Sequence, residues 1–341
     1  KDRPLAPKPP TRNEMAVCPK GPLSITCADG DSPLTTLEAP CAWAPELEIV
    51  RPGSVAPGER GDPSLGISVW FLAHRLREDL GARPGETVLQ LEPRIRARSL
   101  YRGSPDAPSV VSCPRDGLPG SAYVDVVPLE NWADPGDPGN GEPAAELPCV
   151  GPATVMLSYA WSYALDNIVA TLEAECERRR PRLDPRKVFV WMDALCVNQH
   201  RVKDRAARGE PVPFEDFRTA FTERIDAVDE LWALLTPWDK PVYLERLWCC
   251  FELAYARRQL GTAVHLLLPA AEAARFRRLL HSAEGINGLG TIFRVLSGVK
   301  VQDACASVPE DRRNILQEIA PGAHDARALA KSCAWLNASV V

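Results

Sequence analysis

The rhythm of apolar positions changes part-way along the chain. Up to about residue 60, short apolar stretches are interrupted by prolines and glycines, and no helical or strand period is sustained. Val69, Leu72, Leu76 and Leu80 then recur at helical spacing before Gly81, while TVLQL (87–91) and AYVDVV (122–127) read as strands. The segment NWADPGDPGNGEPAAELP (131–148) has the composition of a linker. From residue 151 short apolar runs alternate with amphipathic stretches. TVMLS (154–158), KVFVWM (187–192), LWALL (231–235) and AVHLLL (263–268) read as strands. Leu165, Ile168, Val169, Leu172 and Cys176 mark one helical face, and Phe217, Phe221, Ile225 and Val228 a second. A third helix is predicted around 244–259, and a fourth carries Phe276, Leu279 and Leu280. Ser307 and Glu310 have capping-box spacing, with Pro309 near the first position of a helix reaching Ile319.

Continuous rather than alternating apolar strands, each followed by a helix, predict an α/β fold: a doubly wound parallel sheet covered on both faces. The expected division is an irregular or disordered Pro-rich segment (1–60), a small ordered region (61–130), a linker (131–149), the α/β domain (150–320) and a C-terminal tail (321–341). In such sheets ligands sit beyond the carboxyl ends of the strands. That rule selects Ser158 to Trp161, Asp193 to Asn198 and Thr236 to Asp239 as candidates.

Composition sharpens the contrast between the halves, since 23 of the 33 prolines and 14 of the 22 glycines fall in residues 1–150. The net charge is −5, and no Lys/Arg cluster alternates with aromatic residues, which argues against a nucleic-acid partner. No run approaches eighteen apolar residues, so no membrane span is expected; the opening KDRPLAPKPP has no apolar signal core, and a chain that starts at Lys rather than Met leaves a fragment or a processed form open. Eleven cysteines without a CxxC pair read as reduced thiols of a cytoplasmic protein, with no metal site. No GxGxxG or GxxxxGK[ST] follows a strand, which removes the dinucleotide fingerprint and the phosphate loop. A cysteine nucleophile would need a base, and of the five histidines only His200 lies on a strand-end loop.

The stretch RLWCCFELAYA (246–256) places one carboxylate, Glu252, in an otherwise apolar helix. A buried glutamate requires compensation. Trp248 stands four residues earlier on the same face, so both side chains can address one pocket; equally, Trp248 can fill the core while Glu252 pairs with Arg246 or Arg257. Ser158, Tyr159 and Trp161 are open to a strand-end packing role, and Asp193 to capping the loop it begins.

Taken together, VMLSYAW (155–161), VFVWMDALCVNQ (188–199) and LERLWCCFEL (244–253) resemble the ordered motifs of the TIR domain superfamily, the first two especially those of its fungal relative, the HET (heterokaryon incompatibility) domain. The resemblance covers about residues 150–320. It implies a flavodoxin-like sheet of strand order 2-1-3-4-5. It also implies an NAD nucleosidase that releases nicotinamide and leaves ADP-ribose or a cyclic product, with NAD as substrate and no required cofactor. Carried over by motif, Glu252 is the catalytic carboxylate, with Trp248 lining the nicotinamide side of the pocket. Ser158, Tyr159 and Trp161 border the nucleotide, and Asp193 to Asn198 open the loop that closes the site and mediates self-association. Ser162 replaces the glycine that usually follows SYxW, Phe251 replaces a glutamine, and HRVKDRAARGEPVP (200–213) is a long polar insertion. Two other readings are a catalytically silent TIR/HET-like self-association module and a sensor that binds NAD without cleaving it.

Overall fold

The computed structural model describes residues 49–50, 62–104, 107–129, 148–210, 212–259, 261–281, 301–306, 308–323, 327–328 and 331. The expected irregular segment, most of the expected linker and most of the C-terminal tail lie outside them.

The strands are β1 (Ile49–Val50), β2 (Leu65–Ser68), β3 (Tyr101–Ser104), β4 (Ala107–Val111), β5 (Val150–Pro152), β6 (Val155–Ser158), β7 (Phe189–Trp191), β8 (Glu230–Leu234) and β9 (Ala263–Leu267). A six-stranded sheet runs β5-β2-β7-β6-β8-β9, and a small sheet runs β1-β4-β3. The pairs β7-β6, β6-β8 and β8-β9 are parallel. The pairs β2-β7 and β2-β5 are antiparallel. The protein is therefore a mixed α/β fold with a mostly parallel sheet. Among the described residues no further strand lies beyond β9.

The helices are α1 (Val69–His74), α2 (Leu76–Asp79), α3 (Val88–Leu100), α4 (Tyr123–Val126), α5 (Leu165–Arg178), α6 (Asp193–Cys196), α7 (Gln199–Ala207), α8 (Phe214–Ala227), α9 (Leu247–Arg258), α10 (Ala270–His281) and α11 (Pro309–Ile319). The chain runs from β6 to β7 in one direction across the sheet and from β7 to β8 to β9 in the other, and the right-handed rule for parallel crossovers assigns α5 to one face and α8 and α9 to the opposite face. Contacts agree with this: α1 packs on α5, while α8 and α11 pack on α9.

Three expected elements differ. TVLQL begins a helix, because Thr87 accepts the Gln90 amide while the Gln90 side chain accepts the Thr87 amide, and this reciprocal cap outweighs the β-prone run. AYVDVV forms α4 and a 3-10 turn, where Tyr123, Val124, Val126 and Val127 are all buried, so a run buried on every side was mistaken for a strand. The start of α11 is Val308 with Pro309 following and no side-chain cap; Ser307 lies outside the described residues.

The expected boundary near residue 150 does not divide the fold. β2 is the direct neighbour of β7, and Ile67 of β2 with Val69, Phe71 and Leu72 of α1 share one buried core with Met156, Val190 and Leu231. The region also reaches both loops at the strand ends. Leu89 N donates to Trp161 O (2.8 Å), Val88 N to Tyr163 O (3.1 Å) and Leu165 N to Glu86 O (2.9 Å). On the other loop, Asn198 Nδ2 donates to Gly120 O (3.1 Å), Arg201 pairs with Asp116 (2.7 Å), and Ser99 Oγ bonds His200 Nε2 (3.0 Å). Gly120, at φ +79°, lies flat beneath the His200 ring, where a Cβ would come within 2.7 Å.

Gly66 marks the close approach of β2 to β7: a Cβ there would sit 2.9 Å from the Val190 carbonyl carbon. Gly66→Ala is expected to force the strands apart and lower stability by about 1–3 kcal/mol in chemical denaturation. An unchanged midpoint would mean that β2 is not an integral strand of the sheet.

Candidate functional site

Glu252 reaches the end of β6 because α9 is apolar on almost every side. Leu247, Cys250, Phe251, Leu253, Ala254 and Ala256 are all buried, so the helix is sunk against the sheet and carries its carboxylate inward. The residue is 7 % exposed. Its Oε2 bonds Ser158 Oγ, and Ser158 Oγ lies 2.8 Å from the Tyr243 hydroxyl. Tyr243 in turn donates to the Cys249 carbonyl (3.0 Å). The other carboxyl oxygen bonds no described residue, and no arginine or lysine pairs with the group among the described residues.

Counting protons along this chain favours the neutral carboxyl. Each hydroxyl carries one hydrogen. If Glu252 is neutral, it donates to Ser158, Ser158 donates to Tyr243, and Tyr243 donates to Cys249 O, so all three contacts hold a proton. If Glu252 is ionised, Ser158 must donate to it, and Tyr243 can then satisfy either Ser158 or Cys249 O but not both. Burial acts in the same sense, pushing the Glu252 carboxyl up to about 8, against the opposing hydrogen bond from Ser158 and with the help of the Asp193 charge.

Asp193 opens α6 at the end of β7. Its Oδ2 accepts from Trp161 Nε1 (2.8 Å) and its Oδ1 from the Ala194 amide (2.8 Å). Burial raises its carboxyl, offset in part by the bonds from Trp161 and the Ala194 amide. Two carboxyls of elevated pKa, Glu252 and Asp193, thus occupy adjacent strand ends.

Of the residues singled out from sequence, Ser158 and Glu252 are brought into direct contact, and Tyr159, Trp161 and Asp193 gather beside them. Two are not brought in. Trp248 is turned into an aromatic cluster, with ring centroids 5.5 Å from Phe214, 5.9 Å from Phe217 and 5.3 Å from Phe221. Its indole donates to Asp311 of α11 (3.3 Å). Four-residue spacing put Trp248 and Glu252 on one row, but a helix buried all round presents several neighbours along one row. Asn198 is the cap of α7, accepting the His200 amide (3.0 Å) and holding Gly120 O. Residues 200–207 of the polar insertion after it continue that helix. Burial, with Arg96 and Arg201 nearby, lowers His200 to about 4, so the imidazole on α7 is neutral.

Tyr243 and Tyr163 were missed. The Tyr163 hydroxyl accepts the Tyr243 amide (2.9 Å) and the Thr236 amide (3.3 Å), fixing the loop after β8 and with it the Tyr243 ring. Neither lies on a periodic stripe, and the only hint is a tyrosine just ahead of a helix, in PVYLERLW. Among the described residues no group of three or more His, Cys, Asp or Glu side chains is placed to hold a metal ion, and no helix is long and apolar enough to cross a membrane.

No protein-family model, no curated protein and no solved structure matches this chain.

The raised carboxyl links to stability with a definite sign. Folded Glu252 keeps its proton up to about pH 8, whereas unfolded glutamate loses it near 4.5. Between these limits the native state binds more protons, so its stability falls as pH rises, by about 1 kcal/mol per unit. Glu252→Gln removes that dependence. The expected result is a melting-temperature difference, variant minus wild type, that grows steadily from pH 5 to pH 8; a constant difference would place the ionised form in the folded protein throughout.

Proposed function

We propose that the chain carries a TIR/HET-like, flavodoxin-like core that cleaves the nicotinamide–ribose bond of NAD, with Glu252 as the catalytic carboxylate. The observation that supports this reading is a buried carboxyl with no cationic partner among the described residues, held at the end of a central parallel strand by Ser158 and Tyr243. A group placed so, with its pKa displaced by burial, is characteristic of a reacting centre.

One carboxylate suffices for this bond. Ordinary glycosidases need a second acid to protonate an alkoxide leaving group. Nicotinamide leaves as a neutral molecule from a cationic pyridinium, so the remaining demand is to stabilise positive charge developing on the ribose. An ionised Glu252 in a water-poor site meets it electrostatically. Unit charges about 4 Å apart at an effective dielectric near 20 interact by roughly 4 kcal/mol. That corresponds to about a thousandfold in rate. The cationic ring of bound substrate also favours the ionised form, drawing the proton off Glu252 and opening the Ser158–Tyr243 chain. Trp161, half-buried and hydrogen-bonded to Asp193, is a tryptophan available to stack on the ring.

A silent self-association module is the second reading, favoured by Trp248, whose ring is committed to helix packing. Turnover separates the two. Purified protein incubated with NAD, at high concentration or with a crowding agent, is expected to release nicotinamide, and Glu252→Gln to lose about a thousandfold in kcat. Because kcat/KM reports the free enzyme, it should rise with pH until about 8, whereas kcat should level off earlier, the bound cation having lowered the carboxyl's pKa. Equal release by both proteins removes Glu252 from the chemistry, and no release by either leaves the module.

A further inference from the structure

Tyr243 stands second in line from Glu252, with Ser158 between them. It is fully enclosed (0 % exposed) and belongs to the 3-10 turn Val242–Glu245 that leads into α9. Its main chain is tied from outside the turn, since the Tyr163 hydroxyl accepts the Tyr243 amide (2.9 Å) together with the Thr236 amide (3.3 Å). Its own hydroxyl has two neighbours, Ser158 Oγ at 2.8 Å and the Cys249 carbonyl at 3.0 Å. A phenol held in this way reaches the carboxyl through Ser158.

The chain Glu252–Ser158–Tyr243 ends at a peptide carbonyl, which accepts a hydrogen bond but does not keep a proton. It therefore does not carry the Glu252 proton away; when the carboxyl ionises, that proton goes to water. What the chain can do is turn. With a neutral carboxyl the Ser158 proton points to Tyr243 and the Tyr243 proton to Cys249 O. With a carboxylate Ser158 turns its proton to Glu252, and Tyr243 has one proton for two acceptors. Burial holds the Tyr243 phenol and the Cys249 thiol well above their ordinary ranges, so both keep their hydrogens in either state. Loss of the phenol oxygen is consequently asymmetric: the neutral arrangement forfeits two hydrogen bonds and the ionised one forfeits one. The other groups around the pair are unaltered by that loss. Asp193 of α6 acts on Glu252, Cys250 and Cys249 of α9 act on Tyr243, and Arg246 and Asp193 act on Cys249.

We propose that Tyr243 is a positioning residue for Glu252: by accepting the Ser158 proton it keeps Ser158 Oγ turned as an acceptor toward a neutral carboxyl, and, resting on the nucleotide-cleaving reading above, it reserves the carboxylate for the bound cationic ring.

Glu252 can be read directly in the full chain, without NAD, as the carboxyl carbon-13 resonance of glutamate-labelled protein that disappears in Glu252→Gln. Its midpoint in wild type is expected at about 8. Tyr243→Phe keeps the ring and should lower the midpoint by about half to one pH unit, the worth of one hydrogen bond. Ser158→Ala should raise it, because a charge-assisted donor to the carboxylate is worth more than the acceptor lost to the neutral acid. Looser packing alone would admit water and lower both. The proposal is overturned if Tyr243→Phe leaves the midpoint in place or raises it, or if Ser158→Ala lowers it too. Should Tyr243→Phe not fold, ortho-fluorotyrosine at position 243, a poorer acceptor of the same shape, is expected to lower the midpoint by a smaller step, and an unmoved midpoint overturns the proposal. In turnover, the rise of kcat/KM with pH should be complete about half to one unit earlier in Tyr243→Phe, leaving it about 3–10-fold nearer its own plateau at pH 6 than wild type. A lowered midpoint without nicotinamide release rejects the nucleosidase alone, and release with an unmoved midpoint rejects this role alone.

Discussion

The antiparallel pairing of β2 with β7 is the constraint on which the remaining architecture depends. It places a strand from the Pro-rich half of the chain inside the sheet, with Gly66 in near contact with the Val190 backbone. Once that strand is seated, α3 and the turn around Gly120 follow it into position, and each grips one of the loops that end β6 and β7. A parallel pair built from β6 and β7 alone would leave those loops tethered at their ends only. Here they are held along their length by main-chain bonds such as Leu89 N to Trp161 O and by the buried Asn198 side chain.

This explains what the sequence disclosed and what it concealed. The parallel strands and their helices were legible because each is a short apolar run or a single-faced stripe, and period decides such elements. TVLQL was misread because its first and fourth residues, Thr87 and Gln90, speak through side-chain hydrogen bonds rather than through hydrophobicity. The union of the two halves was illegible for a different reason: β2 has four residues, LGIS, too few for any period, and its partner is more than a hundred positions away. Glu252 was conspicuous because one carboxylate interrupts an apolar helix, and Ser158 because it ends a strand. Tyr243 was not, since a tyrosine in a short turn carries no pattern until the fold delivers its hydroxyl.

The local rules failed in one further way. Trp248 and Glu252 obey the four-residue rule and still part company, because α9 is packed by the sheet and by two other helices. Helical spacing predicts a shared direction; how many surfaces wait in that direction depends on tertiary packing.

Two of the displaced titrations, at Glu252 and at His200, pull against each other. His200 resists protonation in the fold down to about pH 4, so acid below its ordinary 6.5 favours unfolding through that ring, whereas Glu252 is relieved by acid over the range below 8. Between about pH 4.5 and 6.5 the two contributions nearly cancel, and only above that interval does the carboxyl act unopposed. The contribution of this pair is thus level on the mildly acidic side and slopes toward alkali, set by one ring packed over a glycine and one acid tucked behind a serine.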